Sequence, residues 1–206
     1  MTVRLYDYFR SSACYRVRIA LNLKGIAYEA VPTNLVTNDH REAEYRAMNP
    51  QGFVPMLEID GERLTQSLAI INYLDATRPD PPLLPRPPAQ RARVEAMALT
   101  IACDIHPLNN LRVLRMLGHE PEQQGEWYRH WIVEGFAALE AQAQGAGTYL
   151  SGEQPGLADI CLVPQMYNAR RFATPLDAYP TLVRVDAALT ALAPFAAAHP
   201  DAVAPK

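Results

Sequence analysis

Two kinds of hydrophobic pattern follow one another along the chain. Up to about residue 78, short apolar runs alternate with segments in which apolar residues recur every three or four positions, which predicts strands alternating with helices. We predict strands over residues 3–9, 27–31, 56–59 and 63–65, with a hairpin turn at Asp60-Gly61. Helices are predicted over residues 15–24, 41–48 and 67–76.

The second part of the chain shows only helical periodicity, over residues 89–117, 123–144, 157–170 and 180–192, with Pro107 expected to kink the first helix. Six of the eleven residues from 78 to 88 are proline, which favours an extended connector. We therefore predict an α/β thioredoxin-like N-terminal domain over residues 1–78, a proline-rich linker over 79–88, and an all-α domain over 89–206. The β-α-β-α-β-β-α order carries the first of these assignments.

Composition limits the possible functions without choosing one. A net charge of −3 gives no electrostatic case for binding nucleic acid or an anionic membrane, and no apolar run approaches membrane-spanning length. Arg4, Asp7 and Arg10 interrupt the N-terminus, so we expect no signal peptide and a cytoplasmic protein. The three cysteines are widely separated and the five histidines lack metal-ligand spacing, so we expect neither a disulfide framework nor a metal site.

Two serines, Ser11 and Ser12, fall where the first strand meets the first helix. The commonest role of serine at that place is to cap the helix. A helix N-terminus also favours an anion, and a serine hydroxyl there can donate a hydrogen bond to a ligand thiolate and so lower the pKa of that thiol. From these residues alone, capping and thiol binding both stay open.

Several segments, taken in order, resemble one known family. The run Arg10-Ser11-Ser12-Ala13-Cys14 opens a segment extending to residue 21, and further matching segments cover residues 49–55, 66–71, 103–110, 158–165 and 169–172. Together they resemble the zeta-class glutathione transferases, the family that contains maleylacetoacetate isomerase and maleylpyruvate isomerase. The resemblance extends from Arg4 to about Pro200.

The resemblance implies that glutathione is the cofactor. It implies a cis peptide bond at Val54-Pro55, with the Val54 backbone pairing with the cysteinyl part of glutathione, and binding of the γ-glutamyl carboxylate by Gln66 and Ser67. The other residues that it implies for glutathione binding are Ser11, Ser12, Ala13, Cys14, His40, His106 and Asn110. For His40, the alternative of an exposed loop residue has equal weight. For His106, the more common alternative is a core histidine with its hydrogen bonds satisfied.

The resemblance also implies a substrate with two carboxylates. Arg10, Arg112 and Arg171 match arginines that the maleylpyruvate-type branch of the family uses around the active site, and guanidinium groups bind carboxylates with two parallel hydrogen bonds. Arg10 and Arg171 also have counterparts in the maleylacetoacetate-type branch, where Arg112 is less general, so the arginines do not settle which diacid is used. Taken singly, each arginine would ordinarily be a solvated or salt-bridged surface residue. Ser11, Ser12 and Arg10 are the implied catalytic residues. Ser11 would stabilise a glutathione thiolate that adds to the cis alkene, after which rotation and loss of the thiolate would give the trans product.

Two positions depart from the family's pattern. Ala13 stands where the isomerases often carry cysteine, which argues against a catalytic protein thiol. Gly156 stands where Ser or Thr usually opens a capping box with Asp159, a change expected to reduce stability by a few tenths of a kcal/mol. Ser11 and Cys14 also occupy the positions of a Cys-x-x-Cys redox motif, but dithiol exchange needs the first cysteine, so that activity is not expected.

The resulting prediction is a glutathione-dependent cis-trans isomerase that converts maleylacetoacetate to fumarylacetoacetate in tyrosine and phenylalanine catabolism. Alternatives are a maleylpyruvate isomerase, a general glutathione transferase, or a non-catalytic binding protein that keeps the fold. The last would be expected to lose Ser11, Gln66, Ser67 or the arginines, and all are present. The expected partners are a small cis-dicarboxylate and a second copy of the chain.

Overall fold

The first part of the chain forms a four-stranded mixed sheet with helices packed on it. The computed structural model describes residues 2–118 and 120–205. Strands β1 (Arg4–Asp7), β2 (Glu29–Pro32), β3 (Met56–Ile59) and β4 (Glu62–Thr65) lie in the order β2-β1-β3-β4. β1 and β2 are parallel, whereas β1 with β3 and β3 with β4 are antiparallel. Helices α1 (Ser12–Leu23), α2 (Ala43–Met48) and α3 (Ser67–Thr77) join them, with a single 3-10 turn at Asp39–Arg41.

This arrangement confirms the predicted thioredoxin-like fold. α1 packs against α3, and its apolar residues are buried, including Val17, Ile19 and Leu21 at 0% exposure. The β1 residue Leu5 pairs with Leu57 of β3 in the centre of the sheet, and both are fully buried. The sequence periodicity therefore placed the core of this region correctly, with strand ends that differ by at most two residues.

The chain divides into two compact units, and the C-terminal segment belongs to the first. Unit 1 extends to Pro82 and also contains the segment from Leu192 onward, whereas unit 2 covers Leu83–Ala191. In the C-terminal segment, helices α9 (Ala193–Ala198) and α10 (Pro200–Val203) follow one another, and α9 packs on α1. Asn22 donates a hydrogen bond to the Pro194 carbonyl over 2.9 Å. The predicted all-α domain over 89–206 includes this segment, and no helix was predicted beyond residue 192.

Unit 2 is helical throughout its regular elements. Its helices are α4 (Pro88–Leu99), α5 (Leu111–Leu117), α6 (Pro121–Gln142), α7 (Leu157–Arg171) and α8 (Pro180–Thr190). α7 packs against both α4 and α8 and is buried along most of its length, so it forms the centre of this unit. The all-α prediction for this region is confirmed, apart from the continuity of its first helix.

The predicted helix over residues 89–117 is interrupted. α4 continues into a wider π-helical segment at Thr100–Ile105, in which the N–H of His106 bonds the carbonyl of Ile101, five residues back, over 3.0 Å. Pro107 has no N–H to continue the helix, and α5 begins only at Leu111. A π-helical turn is rare and is often found at functional sites, so residues 100–110 are a candidate functional segment.

Asp159 organises the start of α7. Its buried carboxylate accepts hydrogen bonds from the backbone N–H groups of Leu150 (2.8 Å), Ser151 (3.1 Å) and Gly156 (3.0 Å). Gly156 is pressed against its neighbours, because a Cβ built on it would lie 2.5 Å from the Leu83 carbonyl oxygen and 2.8 Å from the Ser151 Cβ. The expectation that glycine is here a slightly weaker cap than serine is therefore wrong, since no side chain fits.

We predict that Gly156→Ser lowers the free energy of unfolding by about 1–3 kcal/mol, because the added atoms must displace backbone. Urea unfolding of the variant measures the change. Gly147→Ser is the matched control, since the nearest atom to a Cβ there, in the Glu153 side chain, is 3.6 Å away. A Gly156→Ser protein as stable as the unaltered one would show that Leu83 and Ser151 can move aside.

Two kinds of feature are absent from the residues that the structure describes. No helix within residues 2–118 and 120–205 combines the length and apolar character needed to cross a bilayer. Within the same residues, no group of three or more His, Cys, Asp or Glu side chains is arranged to hold a metal ion.

Candidate active site

Ser11 caps α1 through its hydroxyl oxygen. Its backbone is extended, its N–H bonds the Tyr8 carbonyl over 2.8 Å, and its Oγ accepts the N–H of Cys14 at 3.3 Å. Accepting that bond uses a lone pair of the hydroxyl and not its proton, so the same oxygen can also donate. Capping and thiolate binding, which the sequence left as alternatives, are therefore compatible in one side chain. Ser12 is less accessible to a ligand than Ser11, because it is buried, with 7% of its surface exposed.

A buried ion pair holds the loop that carries Ser11. The Arg18 guanidinium bonds Asp7 Oδ1 over 2.6 Å and donates to the carbonyls of Phe9 and Ala198, each over 3.0 Å. Burial raises the pKa of the Asp7 carboxyl, and the adjacent Arg18 charge opposes that rise. Because Asp7 ends β1 and Phe9 lies in the loop, these bonds fix the path of the chain into Ser11. This pair was not predicted, although an arginine among the apolar residues of α1 was a visible signal in the sequence.

Cys14 is a packing residue. It is fully buried in a cluster with Tyr6, Tyr45, Val54 and Met56, and this burial raises the pKa of its thiol well above the ordinary range. A thiol in that state is a poor nucleophile, which agrees with the expectation that no protein thiol takes part. The cluster also places Val54 beside the base of α1, so it connects the serine loop with the segment before β3.

Two side chains converge on one carbonyl in the segment before β3. The Tyr45 hydroxyl and the Asn49 amide donate to the Phe53 carbonyl over 2.6 and 2.7 Å. The Val54-Pro55 peptide bond is cis, as the resemblance implied. Among the described residues the Val54 backbone makes no hydrogen bond, so its N–H and C=O can pair with an extended ligand.

The N-terminus of α3 is open to an anion. Gln66 precedes the helix with a positive φ of 67°, which is unusual for a residue other than glycine, and its side chain makes no capping bond. Its amide instead donates to Gln51 Oε1 over 2.8 Å. Ser67 begins the helix and is 6% exposed. The first-turn N–H groups therefore have no partner within the helix and can bind a carboxylate.

His40 does not match the alternative of an exposed loop residue. It is 8% exposed and lies in the 3-10 turn at Asp39–Arg41. Its carbonyl oxygen lies 3.0 Å from the position of a Cβ on Gly52, whose φ is 64°. The turn holding His40 is thus in close contact with the loop before β3, and a role in glutathione binding stays a prediction.

The polar segment of unit 2 uses several of its groups within the unit. Asn110 caps α5, with its Oδ1 accepting the N–H of Arg112 at 3.0 Å. Trp127 donates to the Leu108 carbonyl over 2.9 Å, and the Asn109 amide donates to that of Tyr128 over 3.3 Å. The capping role of Asn110 was missed in the sequence, where Asn directly before the apolar Leu111 was the signal. His106 is half-buried and Arg112 is exposed.

Arg171 and Arg10 are exposed cations resting on aromatic rings. Arg171 ends α7 with its guanidinium 5.3 Å from the Phe172 ring centre, and that ring stacks on Tyr128 at 3.6 Å. In unit 1, Arg10 lies 4.9 Å from the ring centre of Phe9. Within the part of the chain that the structure describes, neither is in an ion pair, whereas the adjacent Arg170 pairs with Asp186 over 2.6 Å. Both are therefore available to a substrate carboxylate.

Comparison with known proteins identifies the family. A family model described as the N-terminal domain of glutathione S-transferase matches residues 5–82. A maleylacetoacetate isomerase of Rhizobium meliloti is 50% identical, covering 98% of this chain and 97% of its own. A holo structure of a zeta-class bacterial maleylpyruvate isomerase superimposes with a TM-score of 0.95 at 41% identity, covering 98% of each chain.

A second solved structure contains the expected ligand. The maleylacetoacetate isomerase of Anaeromyxobacter dehalogenans has glutathione bound in its active site and is 48% identical, with a TM-score of 0.89 over 98% of this chain and 97% of its own. The similarity is high over the full length in sequence and in structure. This chain belongs to the glutathione S-transferase family, and within it to the zeta class of the maleylacetoacetate and maleylpyruvate isomerases.

Proposed function

We propose that the protein is a glutathione-dependent cis-trans isomerase that converts maleylacetoacetate to fumarylacetoacetate, in the breakdown of tyrosine and phenylalanine. The observation that carries the proposal is the Ser11 hydroxyl, which accepts a capping bond at the N-terminus of α1 through a lone pair, so that its proton is not used by the cap. The full-length similarity to maleylacetoacetate isomerases supports the choice of substrate.

The residues of unit 1 fit glutathione at three points. The first-turn N–H groups of α3 with Gln66 and Ser67 suit the γ-glutamyl carboxylate, and the Val54 backbone suits the cysteinyl amide. Ser11 suits the thiol. The remaining residues that we propose for glutathione binding are Ser12, Ala13, His40, Pro55, His106 and Asn110. Cys14, which the resemblance also implied, is fully buried in its packing cluster, so we no longer propose it as a contact.

Bound glutathione supplies a thiolate that adds reversibly to an alkene carbon of the cis diacid, which permits rotation before the thiolate leaves. The Ser11 hydroxyl donates a hydrogen bond to the sulfur and so lowers the pKa of the thiol. The N-terminal end of α1 adds its positive dipole to the same effect. Because Ser11 is fixed by its bonds to Tyr8 and Cys14, the donor needs no reorganisation at the moment of reaction.

Arg10, Arg112 and Arg171 bind the substrate carboxylates in this proposal. Two charges on the substrate need fixed cationic partners, and the planar guanidinium group orients a carboxylate more firmly than an ammonium does. The stacked rings of Phe172 and Tyr128 support the Arg171 side chain. Arg10 lies in the loop between β1 and α1, directly before Ser11 in the chain.

Maleylpyruvate is the second candidate substrate, because the holo structure with a TM-score of 0.95 is that of a maleylpyruvate isomerase. The test is to supply the purified protein with each cis diacid and a small amount of glutathione and to follow the formation of the trans product. An isomerase gives many turnovers per glutathione, and the free thiol is fully recovered at the end. Stoichiometric loss of thiol would instead indicate a transferase, and binding of glutathione without turnover would indicate a binding protein.

We also propose a cytoplasmic homodimer, on the strength of the family. The expected result of sedimentation at micromolar concentration is a species of about twice the 22.9 kDa of one chain. Dilution series in the presence and absence of glutathione would show whether the cofactor alters the association. A single 22.9 kDa species at all micromolar concentrations would contradict the dimer.

A further inference from the structure

A buried arginine behind the first turn of α3 has no carboxylate partner. Arg16 lies on α1, is 2% exposed, and donates from Nη1 to the Ser67 Oγ over a long 3.5 Å. Its Nε and Nη2 are buried without a hydrogen-bond partner. Among residues 2–118 and 120–205, no carboxylate lies within ion-pairing distance of this guanidinium. Arg16 lies within the matching segment that runs from Arg10 to residue 21, but no role was predicted for it.

The arrangement is unfavourable in the ligand-free protein. A guanidinium remains charged at all accessible pH values, and a buried charge without a counterion destabilises the fold. Arg18, one helical half-turn further along α1, shows the usual compensation, because it pairs with Asp7 and donates to two carbonyls. Arg16 has no comparable set of acceptors, so an anion arriving nearby would relieve its electrostatic strain.

The place for that anion is the N-terminus of α3. Ser67, to which Arg16 donates, is the first residue of this eleven-residue helix, and its hydroxyl lies beside the open N–H groups of the first turn. The helix dipole, the Ser67 hydroxyl and the Arg16 charge therefore all favour a negative ligand at one point. Each feature alone is ordinary, but the unpaired buried cation adds a reason for a carboxylate to bind there.

We propose that Arg16 is a positioning residue that sets the affinity for the γ-glutamyl carboxylate, acting through the Ser67 hydroxyl and through its charge. This inference rests on the proposed function, which places that carboxylate at Gln66 and Ser67. A carboxylate bonded to Ser67 would lie within about 6 Å of Nη1, given an ordinary hydrogen bond. At that distance, one charge contributes on the order of 10- to 100-fold in affinity.

Calorimetry measures the affinity of the unaltered protein and of three variants for two ligands. The ligands are glutathione and 4-aminobutyryl-cysteinylglycine, which lacks only the γ-glutamyl carboxylate. In Arg16→Met we expect glutathione affinity to fall about 10- to 100-fold, while affinity for the analogue changes less than about threefold. Arg16→Lys, which keeps a cation, should retain most of the discrimination. Arg78→Met is the control, because Arg78 lies at the opposite end of α3 and pairs with Asp60.

The melting temperature without ligand gives a second readout. Because Arg16→Met removes an uncompensated buried charge and keeps an apolar stem, we expect an unchanged or raised melting temperature. An unfolded variant, or equal loss of affinity for both ligands, would show that Arg16 is structural and overturn the inference. If the unaltered protein binds neither ligand, the proposed function fails too; if it turns over substrate and Arg16→Met keeps full discrimination, only the inference fails.

Discussion

Ser11→Ala is expected to lower the rate of isomerisation by about 100- to 1,000-fold, the usual effect of removing one preorganised donor from a developing or resident anion. Glutathione should still bind, because the carboxylate site at α3 and the Val54 backbone are untouched. The physical reason is a raised pKa of the bound thiol once the Ser11 O–H is gone. Titration of the thiolate absorbance of the bound glutathione measures that pKa directly.

Two further variants separate catalysis from capping. Ser11 accepts the Cys14 N–H, so Ser11→Ala should also lower the free energy of unfolding by about 0.5–2 kcal/mol. Ser11→Thr keeps both the cap and the donor and should retain stability together with most of the activity. Ser12→Ala should reduce activity less than Ser11→Ala. An unchanged thiol pKa in a folded Ser11→Ala protein would contradict the proposed role of Ser11.

The sequence predicted unit 1 well because its patterns are local. A short apolar run marks β3, and Asp60-Gly61 marks the turn that joins it to β4. The prediction over residues 89–117 was wrong in detail, because a proline shows where a helix is disturbed but not that the turns before it widen. The return of α9 to pack on α1 depends on contacts between distant parts of the chain, which periodicity does not encode.

In the candidate site, too, some residues could be predicted from local sequence signals and others could not. Ser11 and Ser67 lie at helix starts that the sequence marks, whereas the roles of Arg16 and Arg18 depend on which groups the fold brings within reach. At Gly156 a local rule failed. The capping preferences of helices favour serine at this position, but Leu83 and Ser151 leave no room for a side chain. Local rules thus located the chemistry, and tertiary packing decided which charged groups support it.

Arg171→Ala is expected to raise the Michaelis constant for a maleyl diacid by about 10- to 150-fold, the equivalent of one charge-assisted contact worth roughly 1.5–3 kcal/mol. Arg112→Ala should act in the same direction. The reason for Arg171 is its exposed guanidinium, which rests on Phe172 and has no carboxylate partner within the described part of the chain. Steady-state kinetics with the cis diacid and with a neutral aryl halide make the measurement, since the halide offers no carboxylate.

The comparison between substrates decides what the arginines do. Conjugation of the aryl halide should be almost unchanged in Arg171→Ala, and Arg171→Lys should also be impaired with the diacid, because an ammonium cannot form two parallel bonds to one carboxylate. Arg115→Ala is the matched control, since it removes the same charge from α5 as Arg112→Ala. If Arg171→Ala slows both substrates equally, Arg171 is structural through its contact with Phe172, and a diacid substrate would then rest on family membership alone.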